Sequence, residues 1–122
     1  MSIDTVADHE RLIEAMMDPR AWSAGGARRE RIDTHISTVV LAGELAFKIK
    51  KPLDLGFLDF VSLDSRKRAC AEEIRLNRRL APEIYLGVSR VTGSVAHPEI
   101  DGAGETIDWA VRMRRFDARA IL

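Results

Sequence analysis

Two charged residues, Lys48 and Glu73, lie inside stretches that otherwise have the pattern of buried chain. Lys48 belongs to the run 45–50, and Glu73 falls in the apolar stripe of the helix predicted after it. Burying either charge alone is costly, but an ammonium and a carboxylate that meet can neutralise each other, and the ammonium can also hold a phosphate. The pair therefore predicts a phosphate or nucleotide site. Lys50, on the same predicted strand face, is a second candidate for the phosphate ligand, and a purely structural salt bridge is the alternative.

A β-hairpin is predicted to carry the lysine. Residues 32–41 alternate and are rich in β-branched side chains, which favours a strand, and Gly43-Glu44 is typical of a two-residue type II′ turn. If these two residues form the turn, the register is fixed and Val39 lies opposite Lys48. Lys48 then has apolar neighbours on its face of the sheet.

A helix over Ser62–Leu80 is predicted to carry the glutamate. Successive residues turn by about 100°, which places Glu73 inside the apolar arc and Glu72 at its edge. Arg66 also projects into the arc, near a helix end where we expect it to reach water. The arc itself is formed by Ala69, Cys70, Ile74, Leu76 and Leu80.

The remaining elements complete an α+β domain. Apolar spacing over residues 4–18 predicts an N-terminal helix, and residues 84–92 and 106–113 are predicted to form two further strands joined by a long turn. We therefore predict an antiparallel sheet of about four to five strands with one packed helix, plus the N-terminal helix.

The composition is that of one globular domain. The chain has 122 residues, 46% of them hydrophobic and 31% charged, which is far from the composition of disordered chains. Lysine plus arginine and aspartate plus glutamate number 19 each, so no overall field attracts nucleic acid or a membrane. A single cysteine, Cys70, an acidic N-terminus and the lack of an apolar run of about 18 residues favour a cytoplasmic protein with no membrane partner.

The residue types do not favour a metal site, a glycine-rich nucleotide loop, a triad hydrolase or a nucleic-acid site. His35, His97 and Cys70 are scattered without metal-ligand spacing, so we expect no metal site built from protein side chains alone. No Rossmann, Walker or Gly-x-Ser-x-Gly motif occurs. The basic segment 66–79 is an alternative site for RNA or a partner chain. Because it lacks interleaved aromatic residues to stack bases, we do not expect a nucleic-acid partner.

Six motifs follow one another along the chain: Thr34-His35-Ile36-Ser37, Leu41-Ala42-Gly43, Ala46-Phe47-Lys48-Ile49-Lys50-Lys51-Pro52, Gly56-Phe57-Leu58-Asp59-Phe60, Leu76-Asn77-Arg78-Arg79-Leu80-Ala81-Pro82 and Tyr85-Leu86-Gly87-Val88. Their content and order resemble aminoglycoside-phosphotransferase-like bacterial proteins, in which a kinase-like domain is often fused to a C-terminal P-loop ATPase domain. The resemblance extends from about residue 8 to the end of the chain.

This resemblance implies the amino-terminal, ATP-binding lobe of a protein-kinase-like fold. Lys48 resembles the strand lysine that binds the α- and β-phosphates, Glu73 resembles its partner on the helix, and Ala46 resembles a residue that lines the adenine pocket. Met113 lies in a segment that resembles the hinge, whose backbone would bind adenine. The turn at 43–44 would cover the nucleotide, and ATP with Mg²⁺ would be the cofactors.

The same resemblance divides the chain into an N-terminal helix and loop (1–30), the kinase-like lobe (31–116), and the hinge with the start of a missing C-terminal lobe (117–122). The catalytic-loop aspartate and the metal-binding aspartate that such kinases carry in the second lobe have no counterpart here, so no catalytic residue and no metal ligand is named. We therefore predict the ATP-binding lobe of a small-molecule phosphotransferase, incomplete and inactive alone.

The expected partners follow from that incompleteness. They are a nucleotide and a missing C-terminal lobe or partner chain. An exposed hinge side around Met113, Phe116 and Ile121 would also favour self-association.

Overall fold

The described part of the chain folds into one antiparallel sheet and two helices. The computed structural model describes residues 3–18 and 29–115. In chain order the elements are α1 (Val6–Met16), β1 (Arg29–Asp33), β2 (Ser37–Ala42), β3 (Leu45–Lys50), α2 (Leu63–Asn77), β4 (Tyr85–Gly93), β5 (Pro98–Ile100) and β6 (Thr106–Arg114). The strand order across the sheet is β1-β2-β3-β6-β4-β5. The predicted α+β class is confirmed, but the sheet has six strands rather than four or five.

The predicted hairpin is present with the predicted register. β2 and β3 pair antiparallel, with Val39 opposite Lys48 and Ala42 opposite Leu45. Gly43 has a φ of 61°, a left-handed conformation that glycine adopts without steric cost. The two-residue turn therefore sets which side chains of β3 share a face of the sheet.

Two strands lie where the sequence predicts other structure. The predicted single strand 32–41 is divided into β1 and β2 by a turn at 34–36. Thr34 closes this turn, because its backbone N–H donates to the Ser37 carbonyl at 2.9 Å and its hydroxyl accepts from the Ser37 N–H at 2.9 Å. β5 lies within the predicted long turn and pairs with β4. Alternation of apolar and polar residues does not reveal a turn that is closed by a side chain, nor an edge strand of three residues. The sequence pattern therefore predicts too few strands.

One helix covers each face of the sheet. The residues of α1 share a buried cluster with one face of the central strands, including Leu12, Ile13, Val40, Phe47 and Ile49. On the opposite face, α2 contributes to a second cluster that includes Val39, Leu41, Ala46, Cys70, Ile74 and Val111. Since successive residues of a strand point to opposite faces, β3 presents Phe47 to α1 and presents Lys48 and Lys50 to α2.

The buried face of α2 is rotated from the predicted arc. The helix begins after the N-cap Ser62, whose hydroxyl accepts from the Ser65 N–H at 3.0 Å. Leu76, which the projection places in the apolar arc, is 51% exposed. Leu80, which the projection also places there, lies beyond the helix end at Asn77 and is 89% exposed. The buried residues of the helix are instead Arg66, Cys70 and Ile74. The N-terminal end of the buried face is therefore occupied by Arg66, a charged residue, and not by an apolar side chain.

Candidate functional site

Lys48, Lys50 and Glu73 meet between β3 and α2, and we call them the lysine–glutamate cluster. Lys48 Nζ donates to Glu73 Oε2 at 3.1 Å, and Lys50 Nζ donates to Oε1 of the same carboxylate. The contact between Lys48 and Glu73 that the sequence predicts is therefore present. Both candidate lysines, rather than one, reach the glutamate.

Strand alternation and helix phase bring the cluster together. Lys48 and Lys50 are two residues apart on β3, so both side chains project toward α2. Glu73 lies on the inner side of α2, whereas the neighbouring Glu72 is 53% exposed and pairs with Arg75. The helical projection selects Glu73 over Glu72 as the inward carboxylate, and the structure confirms that selection.

The cluster carries excess positive charge in a partly buried setting. The side chains of Lys48, Lys50 and Glu73 are 16%, 6% and 13% exposed. Burial alone would raise the pKa of Glu73, but the charges and hydrogen bonds of Lys50 and then Lys48 outweigh burial and lower that pKa below its usual value. Glu73 is therefore ionised at neutral pH. Two ammonium groups facing one carboxylate leave a net positive charge that suits an anionic ligand.

A cavity of about 440 Å³ opens beside the cluster. The lysine–glutamate cluster forms its charged wall, and Glu72 lies on the same side, where Arg75 neutralises it. The apolar part of the lining comes from Ile36, Leu58, Phe60, Ala69 and Leu76. The volume lies within the range of small-molecule sites, and apolar walls strengthen the attraction between the lysines and an anion. The cavity is therefore suited to a phosphate-bearing ligand.

The turn at 43–44 does not cover this cavity. Lys50 pairs with Ser37 at the open end of the hairpin, so the turn lies at the opposite end of β3. There it lines a separate cavity of about 430 Å³ with Leu45, Leu86 and Arg114. The turn next to the cluster is the one at 34–36, from which Ile36 reaches the cavity wall. The expectation that the turn at 43–44 covers a nucleotide is therefore wrong for a ligand in the cavity beside the cluster.

Ala46 and Met113, the predicted adenine contacts, face each other across β3 and β6. Each is 1% exposed, and neither lines the cavity beside the cluster. Their role in adenine binding stays a prediction. The expected exposed surface around Met113 is not observed, because this side chain belongs to the core beneath α2. Phe116, Ile121 and the predicted segment 117–122 lie outside the described residues.

A second ionic pair, Arg66 with Asp108, lies wholly inside the molecule. Arg66 Nε donates to Asp108 Oδ1 at 2.9 Å, and both side chains are 0% exposed. The other guanidinium nitrogens donate to backbone carbonyls at 2.7–2.8 Å, those of Ile3, Phe60 and Val61. The expectation that Arg66 reaches water is therefore wrong. A buried arginine is tolerated here because fixed acceptors surround it.

Asp108 is the residue of this pair that sequence reasoning missed. Burial raises the pKa of Asp108 to about 6, against the charge of Arg66 and the N–H of Trp109. The carboxyl is therefore mostly ionised at neutral pH. An aspartate within an apolar strand is a signal of a charged partner, but 42 residues separate Asp108 from Arg66, and nothing in the sequence pattern links the two.

The basic segment 66–79 is engaged in part by the chain itself. Arg66 is buried and cannot contact a partner. Other cations of the helix contact neighbours: Arg75 with Glu72, Arg68 with Asp64 at 3.6 Å, and Lys67 over the Trp109 ring at 5.0 Å. The basic surface is therefore smaller than the sequence predicts. RNA or partner binding through this helix stays a prediction.

Residues 3–18 and 29–115 contain neither a grouped set of metal ligands nor a membrane-spanning helix. Among these residues, no three His, Cys, Asp or Glu side chains are grouped so that they could hold a metal ion. Burial raises the pKa of the Cys70 thiol to about 12, so this group stays protonated. No helix in the same ranges is long and apolar enough to cross a bilayer. The Mg²⁺ that the resemblance implies thus has no ligand set in this part of the chain.

Similar sequences occur in mycobacteria. Over 84 residues, which are 69% of this chain, it is 42% identical to uncharacterized proteins of Mycobacterium tuberculosis and Mycobacterium bovis. The match covers 15% of the length of those relatives. No family model matches the chain, and no solved structure matches it. These comparisons assign no activity to the chain.

Proposed function

We propose that the chain is the ATP-binding lobe of a kinase-like small-molecule phosphotransferase, with Lys48 as the phosphate ligand. The observation that carries this proposal is the 3.1 Å contact between Lys48 Nζ and Glu73 Oε2 at the wall of the cavity. A lysine held by a helical glutamate beside a cavity is the arrangement that the motif resemblance implies.

The cluster would act by binding and orientation. Glu73 holds the flexible Lys48 side chain, so less conformational freedom is lost when the ammonium meets a phosphate. The apolar walls exclude water from one side of the ligand and strengthen its attraction to the ammonium. Phosphoryl transfer depends mainly on such positioning and on charge stabilisation.

Mg²⁺ supplies charge neutralisation to the phosphates when it is bound with ATP. The described residues offer no grouped metal ligands, so its ligands would come from another part of the complete enzyme. On this proposal the chain alone binds nucleotide weakly and does not turn it over. The phosphoryl acceptor would bind the second lobe.

Isothermal titration tests the proposal. ATP, adenosine and inorganic tripolyphosphate are titrated separately into the wild-type chain and into Lys48→Ala. We expect Lys48→Ala to weaken ATP and tripolyphosphate binding about tenfold, which corresponds to about 1.4 kcal/mol, and to leave adenosine binding unchanged. A ligand that depends on the lysine only through its phosphates would give this pattern.

Lys67→Ala is the matched control. It removes a lysine of α2 that contacts Trp109 and does not line the cavity, so ATP affinity should stay at the wild-type value. Equal ATP affinity in wild type and Lys48→Ala, or no binding to either, would refute the proposal.

A further inference from the structure

We propose that Lys50 is a positioning residue that neutralises Glu73 and thereby leaves the charge of Lys48 free for a phosphate. This inference rests on the proposed function and assigns a separate role to each lysine. In the lysine–glutamate cluster two ammonium groups share one carboxylate, and each donates to a different oxygen of Glu73.

The two lysines differ in how firmly they are enclosed. The Lys50 side chain is 6% exposed, and its Nζ lies 5.7 Å from the centroid of the Phe60 ring, within the range of a cation–π contact. Phe60 is itself held in place, because its carbonyl accepts from Arg66 at 2.8 Å. The Lys48 side chain is 16% exposed and is the more accessible of the two. Lys50 is therefore fixed against Glu73, while Lys48 is the lysine that a ligand can reach.

The enclosure of Lys50 determines how much positive charge the cluster offers to a ligand. A single lysine paired with Glu73 would be neutral, and a phosphate would have to compete with the carboxylate for that lysine. With Lys50 held on the other oxygen, the cluster keeps one uncompensated positive charge, and Lys48 can turn to a ligand without stranding Glu73. Lys50 would thus set the phosphate affinity without touching the phosphate.

A rescue experiment separates this role from direct binding. Tripolyphosphate is titrated into the full chain as wild type, Lys50→Met, Lys48→Met, and each of these two variants combined with Glu73→Gln. We expect Lys50→Met to lose about tenfold in affinity, because Lys48 is then neutralised by Glu73. Adding Glu73→Gln should restore Lys50→Met to near the wild-type value. The same addition should not restore Lys48→Met, because Lys50 is enclosed under Phe60.

A second measurement needs no ligand. Carboxyl-carbon NMR titration of Glu73 should show that its pKa rises more in Lys50→Met than in Lys48→Met. Urea unfolding of every variant checks that each is folded under the titration conditions.

The outcomes distinguish this inference from the proposed function. Unchanged affinity in Lys50→Met, or rescue of Lys48→Met but not of Lys50→Met, would overturn the positioning role while phosphate binding stands. A larger rise in the pKa of Glu73 in Lys48→Met than in Lys50→Met would do the same. If wild type binds no tripolyphosphate, the proposed function fails and this inference fails with it.

Discussion

Arg66 and Asp108 lie in the interior with side chains 0% exposed, whereas the lysine–glutamate cluster lies at a cavity wall with side chains 6–16% exposed. Both groups place opposite charges in a largely apolar layer next to α2. In the interior, one cation faces one carboxylate and three backbone carbonyls, all fixed by the fold. At the cavity, two cations share one carboxylate. A charge whose partners are all supplied by the chain stabilises the fold, and surplus charge beside a cavity is available to a ligand.

Removal of the interior cation, Arg66, should destabilise the fold more than any other change considered for these two ionic groups. Arg66→Met leaves Asp108 buried without its partner and leaves three carbonyl oxygens without a donor, so we expect a loss of about 3–5 kcal/mol in the free energy of unfolding. Urea denaturation measures this loss. Adding Asp108→Asn should recover part of it, because the stranded charge is removed.

Arg68→Met is the control for this variant. Arg68 is on the same helix, but its side chain is 75% exposed, and its Nε lies 3.6 Å from Asp64 Oδ2 in a solvent-exposed ion pair. Because exposed ion pairs contribute little, removal of Arg68 should change the free energy of unfolding little. If Arg66→Met and Arg68→Met were equally mild, the interior pair would not be the structural anchor that its burial indicates.

His9, on the α1 side of the sheet, is a buried group whose charge can change with pH. His9 on α1 is 0% exposed, and its Nε2 lies 2.8 Å from the Thr38 hydroxyl, which donates to Asp33 at 3.0 Å. Burial lowers the pKa of His9 from 6.5 to about 4. Protonation therefore favours the unfolded chain, so the stability contributed by neutral His9 is complete near pH 7 and is lost as the pH falls from 6.5 toward 4. The expected loss is about 3 kcal/mol at most.

Comparison with His9→Gln isolates this effect. Glutamine does not titrate, so the stability of the variant should fall less steeply between pH 6.5 and 4, as measured by urea denaturation at intervals of pH. Asp108 acts in the opposite direction, because its raised pKa of about 6 favours the folded state as the pH falls. It acts in both proteins, so it cancels in the difference. Parallel curves for wild type and His9→Gln would contradict a buried, neutral His9.

Removing the carboxylate of the lysine–glutamate cluster should lower the free energy of unfolding much less than removing Arg66 from the interior pair. In Glu73→Gln both lysines lose their charged partner. Lys48 can turn into the open cavity, and Lys50 keeps its contact with the Phe60 ring, so we expect a loss of about 1–2 kcal/mol. The same variant should bind tripolyphosphate several-fold more tightly, because the net charge of the cluster rises from one to two. The two measurements are urea denaturation and isothermal titration.

If Glu73→Gln lost as much free energy of unfolding as Arg66→Met, the lysine–glutamate cluster would stabilise the fold as much as the interior pair does. Weaker rather than tighter tripolyphosphate binding would mean that Glu73 does more to orient Lys48 than to reduce its charge.

Sequence reasoning predicted the cavity cluster better than the interior pair, and the reason is physical. The register of the hairpin follows from a two-residue turn that begins with glycine, and it fixes the face of Lys48. Helix phase then selects Glu73. Each step is local, with a period of two residues or of about 3.6. The burial of Arg66 depends on Asp108 and on the Ile3 carbonyl, far away in the chain, and no local period reports such partners.

The buried face of α2 differs from the predicted arc for the same reason, because local periodicity does not report distant contacts. The projection treats every apolar residue of α2 as buried, so it centres the arc between Ile74 and Leu76. In the structure Ile74 is 9% exposed and Leu76 is 51% exposed, because the sheet lies against the side marked by Arg66 and Ile74. Periodicity shows that a helix has a buried side, but the long-range contacts of a polar residue decide where that side is centred.

Leu80 lies in the exposed segment after α2, whereas Ile74 lies on the buried side of the helix. Leu80 is 89% exposed, so Leu80→Ser should change the free energy of unfolding by no more than about 0.5 kcal/mol. Ile74→Ala, on the buried side two turns after Arg66, should lose about 2–4 kcal/mol, because it leaves a void beneath α2. Both are measured by urea denaturation at two protein concentrations. A loss above about 1 kcal/mol in Leu80→Ser would mean that Leu80 is covered in solution. If that loss grew with protein concentration, the cover would be a second copy of the chain.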